Sequence, residues 1–160
     1  MLAKEPKALI YRRDEAETLM LGELIVTILA SGEETEGACS LMEFSIPPPP
    51  AGTGLHLHKG EHEMGYVLEG TFQFTIGEQT GTITTGSFAF VPKGTPHEFS
   101  NLGPGPARVL GLFSPSGFEG FFKEMAHVLT LSSGPPDTSV IASLQQKYNL
   151  YMLDTGEQMR

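Results

Sequence analysis

The chain has 160 residues, of which 39% are hydrophobic and 18% charged, and 10 Lys+Arg against 19 Asp+Glu give a net charge of −9. That balance repels phosphate backbones and anionic membrane surfaces, so neither nucleic acid nor membrane is an expected partner. A chain of this length buries roughly 70% of its unfolded surface, enough for one full core, and a single domain spanning residues 1–160 is expected.

Other compositional features narrow the class. The single cysteine, Cys39, has no partner for an internal disulfide, and a reducing, cytoplasmic setting is the natural expectation. The longest uncharged apolar run, Leu24–Ala30, is far short of the roughly 20 residues a membrane helix needs. The opening residues, MLAKEPKALIYRRDE, have no apolar stretch of the kind a secretory leader needs. The roughly 20 residues before the first expected strand are also too few for a helix-turn-helix. With 19 glycines and 12 prolines, many tight turns between short strands are expected.

In chain order, Leu24–Ser31 reads as an apolar, β-branched strand. Ser40–Ile46 alternates, with Met42, Phe44 and Ile46 on one face. Pro47–Pro50 cannot join a sheet interior, because proline has no amide proton to donate. His56 and His58 follow in a short strand. Met64–Glu69 and Thr71–Ile76 flank a turn at Gly70, with Phe72, Phe74 and Ile76 sharing a face. Short strands at Thr80–Thr84, Ser87–Val91, His97–Asn101 and Arg108–Phe113 complete a barrel or sandwich over about residues 19–113. From 114 to 160 the period becomes helical. Ser116-x-x-Glu119 reads as a capping box before Phe118, Phe121, Phe122, Met125, Val128 and Leu129. A second helix is predicted from Asp137, with Val140, Ile141, Leu144 and Tyr148 on one side. Both helices are expected to pack outside the strands.

Four of the five histidines fall in two short segments. Residues i and i+2 of a strand point to one side, so His56 and His58 aim at a common point. Glu63 lies past a Lys-Gly-Glu turn and can fold back beside them. Imidazole and carboxylate suit first-row transition metals, although an HxH pair alone also arises by accident. His62 is read as a solvent-facing neighbour of a ligand. His127 is read as a surface residue, and Cys39 as a small strand residue.

These segments resemble the two motifs of the cupin superfamily. The first appears as His56-x-His58-x4-Glu63-x6-Gly70. The second is complete, with Gly86, Pro92, Gly94, His97 and Asn101. The glycine that opens the first motif is replaced by Pro50, a position that shapes a turn and ligates nothing. The tail is similar to that of single-domain bacterial cupins of the quercetinase-like type. The resemblance implies an all-β, double-stranded β-helix (jelly-roll) barrel with a metal in its mouth, held by His56, His58, Glu63 and His97. It is the resemblance alone that brings His97 to this site.

The expected cofactor is one divalent ion among Fe, Mn, Ni, Co, Cu and Zn, since such a ligand set does not select one. Its affinity is expected to fall as pH drops through about 6.5, where free imidazole protonates. The resemblance further implies a metal-dependent dioxygenase for a small aromatic or enolic substrate, with Glu63 as both ligand and catalytic base. A pocket lined by Phe44, Phe72, Phe74 and Phe99 would receive that substrate. The alternatives are a non-catalytic metal or small-ligand binding module and an isomerase or lyase using the metal as Lewis acid. Cupins commonly pair through their sheets, so a homodimer is expected, with the apolar Leu24–Ala30 strand as the contact.

Overall fold

The computed structural model describes residues 8–154. Residues 1–7 and 155–160, the two ends of the expected single domain and part of the stretch read against a leader, lie outside the described residues.

Two antiparallel sheets face each other. The six-stranded sheet contains β1 (Glu17–Leu21), β2 (Leu24–Ala30), β3 (Ser40–Ile46), β5 (His62–Glu69), β8 (Phe88–Val91) and β10 (Ala107–Ser114), in the order β1-β2-β3-β10-β5-β8. The five-stranded sheet contains β4 (His56–His58), β6 (Thr71–Ile76), β7 (Gln79–Thr84), β9 (His97–Asn101) and β11 (Leu150–Met152), in the order β11-β4-β9-β6-β7. Two helices, α1 (Glu119–Leu131) and α2 (Thr138–Lys147), stand between β10 and β11. The arrangement is the expected all-β jelly roll. None of the helices among the described residues is long and apolar enough to cross a membrane.

Alternation decides which residues face inward. Register pairs Val26 with Phe44 and Ile28 with Met42, and places Met42 opposite Gly111. Val26, Ile28, Met42, Phe113, Phe118 and Leu150 make one buried cluster, and Val67, Phe72 and Ala107 a second. At about 25 cal/mol per Å² of buried apolar surface, each large side chain there contributes on the order of 1.5–3 kcal/mol. Gly70 joins β5 to β6 at φ +101°, and a Cβ on it would come within 2.6 Å of the Ala107 Cβ, so only glycine makes this turn.

Several expectations need correction. β1 had no recognised pattern; it pairs with β2, so Leu24–Ala30 is an interior strand of the sheet. Ser116 does not cap α1. The N-cap is Phe118, without a side-chain hydrogen bond, and the Glu119 carboxylate instead accepts the N–H groups of Gly117 (2.7 Å) and Gly32 (2.8 Å). Cys39 precedes β3 rather than lying within a strand. The chain beyond α2 is not a helical tail: β11 returns to the barrel and pairs with β4. Asp137 does cap α2, accepting from the Ser139 N–H at 2.8 Å.

Candidate metal centre

β4 is three residues long and carries two of the four candidate ligands. It is held on one side by β11, with Leu150 opposite His58 and Met152 opposite His56, and on the other by β9, with His56 opposite His97. Glu63 enters from the other sheet, one residue into β5, opposite Val91 of β8 and Phe113 of β10. The structure thus brings His56, His58, Glu63 and His97 together, with one ligand atom from each within 4.8 Å of all the others.

The orientation of each ring follows from its outward nitrogen. His56 Nδ1 lies 2.8 Å from the Gly54 carbonyl oxygen and His97 Nδ1 lies 2.9 Å from that of Thr95, so each Nδ1–H donates outward. Their Nε2 atoms are left for the centre. His97 Nε2 is 3.0 Å and His58 Nε2 is 3.3 Å from the same Glu63 oxygen, Oε2. His56 and His97 have ring centroids 4.2 Å apart. Phe118 meets His58 edge-on, with centroids 4.4 Å apart, so the first α1 turn presses against the site.

Burial and charge set the protonation of the metal-free site. Burial, with His97 close by, lowers the His56 pKa to about 4. Burial also favours the neutral form of His58, but hydrogen bonding and charge from Glu61 and Glu63 outweigh it and raise its pKa to about 9. Desolvation raises the Glu63 pKa, yet His58 and His97 hold it well below the usual carboxylate range.

The donor set fits a metal ion. Bonds of about 2.0–2.3 Å place neighbouring donors about 3 Å apart and opposite donors a little over 4 Å apart. Glu63 stands at 3.0 and 3.3 Å from His97 and His58, and all four donors lie within 4.8 Å of one another. Bound carbonyls fix the tautomers of His56 and His97, as ligating histidines require.

Other residues fall into supporting places. His62 is not in the cluster: its Nδ1 accepts the Lys93 N–H at 3.1 Å and its ring tilts over Phe90. His127 is exposed on α1. Asn101, the last residue of the second motif, is 2% exposed; its side-chain amide donates to the carbonyls of Pro47 and Gly105 and accepts the Gly103 N–H. It locks the proline run against the β9–β10 turn. Gly94 lies at φ +80° and donates its N–H to the His58 carbonyl, fixing the turn before β9 to β4.

A cavity of about 540 Å³ opens onto His56, His58 and Glu63. Phe44, Phe72 and Phe99 line it as expected. Phe74 does not; it lines a separate, smaller hollow with Ile76, Ile83 and Phe88. Sequence reasoning missed Phe118, Phe121 and Phe122, which close one end of the main cavity rather than packing only outside the barrel. Helical periodicity identified their stripe but not the layer it faces. It also missed Glu61, a turn residue with no periodic signal, whose carboxylate lies 2.8 Å from His58 Nδ1.

Comparison with known proteins agrees with this geometry. The family model for the Cupin domain matches residues 42–113. Quercetin 2,3-dioxygenase of Bacillus subtilis (strain 168) is 30% identical over 102 residues, which are 61% of this chain and only 29% of that protein's length. The oxalate-binding protein of Thermotoga maritima is 32% identical over 82 residues, 51% of this chain and 68% of that one. The crystal structure of a predicted oxalate decarboxylase from Thermotoga maritima superposes with a TM-score of 0.60 at 25% identity, covering 67% of this chain and 99% of that chain.

Proposed function

Since the chain belongs to the cupin superfamily, we propose that it acts as a single cupin domain with one divalent transition metal at His56, His58, Glu63 and His97, and that it is a dioxygenase for a small aromatic or enolic hydroxyl compound. The observation that carries this reading is the cavity: about 540 Å³, walled by phenylalanines and opening onto three of the four ligands. That volume lies within the roughly 300–1,000 Å³ range of small-molecule pockets. Among the described residues that line it there is no arginine or lysine to receive a phosphate or a small dicarboxylate.

A divalent ion bound there would supply a Lewis-acidic, redox-capable centre with open positions for substrate and dioxygen. The protein's own groups do the rest. Phe44, Phe72 and Phe99 offer ring faces that hold a flat substrate and keep water out. Glu63, whose side chain is 19% exposed at the cavity, takes the substrate's hydroxyl proton when that oxygen comes within about 2.6–3.2 Å. Phe118 fixes the His58 ring against rotation.

The likeness to quercetin 2,3-dioxygenase supports the choice of reaction, and the likeness to an oxalate-binding protein supports a binding module as the second reading. The test reconstitutes metal-free protein separately with Fe²⁺, Mn²⁺, Ni²⁺, Co²⁺ and Cu²⁺ and follows oxygen uptake with flavonols, catechols and enediols. Uptake with at least one pairing, abolished by Glu63→Gln, is expected. Tight ligand binding with no uptake for any pairing would replace the dioxygenase with the binding module. Turnover of a substrate without oxygen uptake would point to the isomerase or lyase.

A further inference from the structure

The three histidine rings share one centre, but their outward nitrogens are held by different chemistry. His56 and His97 each face a neutral backbone carbonyl two residues upstream, those of Gly54 and Thr95. His58 alone faces a carboxylate. Its Nδ1 lies 2.8 Å from Glu61 Oε1, and neither atom has another hydrogen-bond partner among the described residues. Both side chains are buried, with 3% of His58 and 10% of Glu61 exposed. An isolated carboxylate in such a place costs several kcal/mol unless positive charge faces it. Among the described residues, most carboxylates avoid that cost by standing in solvent. Glu61 stands against the back of a ligand, three residues after it, in the turn that joins β4 to β5.

We infer that Glu61 is a positioning residue of the metal centre, orienting the His58 ring with Nε2 inward and placing a second negative charge behind it. The inference rests on the metal site proposed above. Its consequence is electrostatic as well as geometric. With Glu63 alone, a divalent ion would leave the centre at +1; with Glu61 included, the buried group of ion, rings and carboxylates is neutral. Polarisation of the Nδ1–H bond makes His58 the strongest imidazole donor of the three, so the centre is asymmetric. Carboxylates placed behind ligating histidines contribute about 10–100-fold to metal affinity.

The test compares wild type, Glu61→Gln and Glu61→Asp. Gln preserves shape and a carbonyl acceptor but removes the charge; Asp preserves the charge but withdraws it by one methylene. Co²⁺ dissociation constants are measured by competition with a chelator, alongside circular dichroism of the metal-free proteins. Glu61→Gln is expected to weaken Co²⁺ binding about 10–100-fold with an unchanged fold, and Glu61→Asp to recover part of the loss. Gln within twofold of wild type, or Gln and Asp equally impaired, overturns the inference. A second measurement needs no variant. In Zn²⁺-loaded wild type, the His58 Nδ1–H proton resonance is expected downfield of those of His56 and His97, because it alone meets a carboxylate. Three equivalent shifts overturn the inference even if Glu61→Gln fails to fold. Wild type that takes up neither Co²⁺ nor Zn²⁺ would remove the metal centre itself, an outcome distinct from either of these.

Discussion

His58 stands between two carboxylates, Glu61 behind and Glu63 in front, at 2.8 and 3.3 Å. In the metal-free protein that arrangement holds a proton where an ion would bind. With its pKa raised to about 9, His58 is an imidazolium at neutral pH, whereas His56, lowered to about 4, is already neutral. The stabilisation this gives the metal-free fold is fully present below the ordinary histidine pKa of 6.5 and is lost as pH rises through about 9. Ligation needs neutral Nε2, so an entering metal must displace the His58 proton. Zn²⁺ binding at pH 7 is therefore expected to release about one proton from His58, and affinity to climb roughly tenfold per pH unit from 7 toward 9. The pH window is thus higher than the free-histidine value near 6.5 suggests. Titration calorimetry in buffers of different ionisation enthalpy measures the release. An affinity that is flat above pH 7 would show that His58 is neutral before the metal arrives.

Elements as short as β4 do not stand alone, and the long excursion through α1 and α2 exists in part to bring β11 to its edge. Glu119 anchors the start of that excursion. It is 8% exposed and ties the β2–β3 loop to α1 through the Gly32 and Gly117 N–H groups. Its burial raises its pKa, but these donors outweigh the burial and hold it below the ordinary carboxylate value. Glu119→Gln is expected to cost about 1–3 kcal/mol at pH 7 in urea unfolding, since a charged acceptor with two amide donors is lost. A depressed carboxyl pKa stabilises above the unfolded value near 4.3 and ceases to as pH falls through the folded one. The difference between the two proteins should therefore shrink as acid is added, and a gap that does not narrow with falling pH would assign the loss to packing instead. The same region shows what periodicity can and cannot reveal. β3, β6 and β9 were legible because alternation over five to seven residues is a local signal of a half-buried strand. β1 and β11 were not, since Glu17–Leu21 is mostly exposed and Leu150–Met152 is a strand only by pairing with β4. The His-x-His pair was legible as a site because two side chains two residues apart must converge. Glu61 was not, because a turn residue's burial depends on what folds over it.

At the scale of the molecule, the outer face of the six-stranded sheet is where the contact of a homodimer is expected. β8 is the edge strand, and register sets Tyr66 beside Phe88 and Met64 beside Phe90, with Leu110 and Leu112 next in line on β10. Phe88, Phe90 and Tyr66 are 62%, 47% and 44% exposed. Three neighbouring aromatic side chains in water on one strand edge are unusual for a monomer. Leu24–Ala30 offers less, because its middle residues Val26, Thr27 and Ile28 are buried. The occupant expected at the Phe88 edge is the same edge of another copy. A chain of net charge −9 repels its twin over most of its surface. These six side chains carry no charge, so a two-fold contact here brings like to like without opposing carboxylates. Such a contact needs about 800 Å² per partner, which asks the whole Tyr66–Phe88–Phe90 patch to take part. Sedimentation equilibrium at micromolar concentration is therefore expected to give twice the 17.3 kDa chain mass. Phe88→Glu with Phe90→Glu places four carboxylates across the two-fold axis and should return the 17.3 kDa species with metal stoichiometry intact, since neither residue touches the ligand cluster. Wild type sedimenting at 17.3 kDa would show that this face does not pair with itself, and a double variant that stays dimeric would move the interface elsewhere on the barrel.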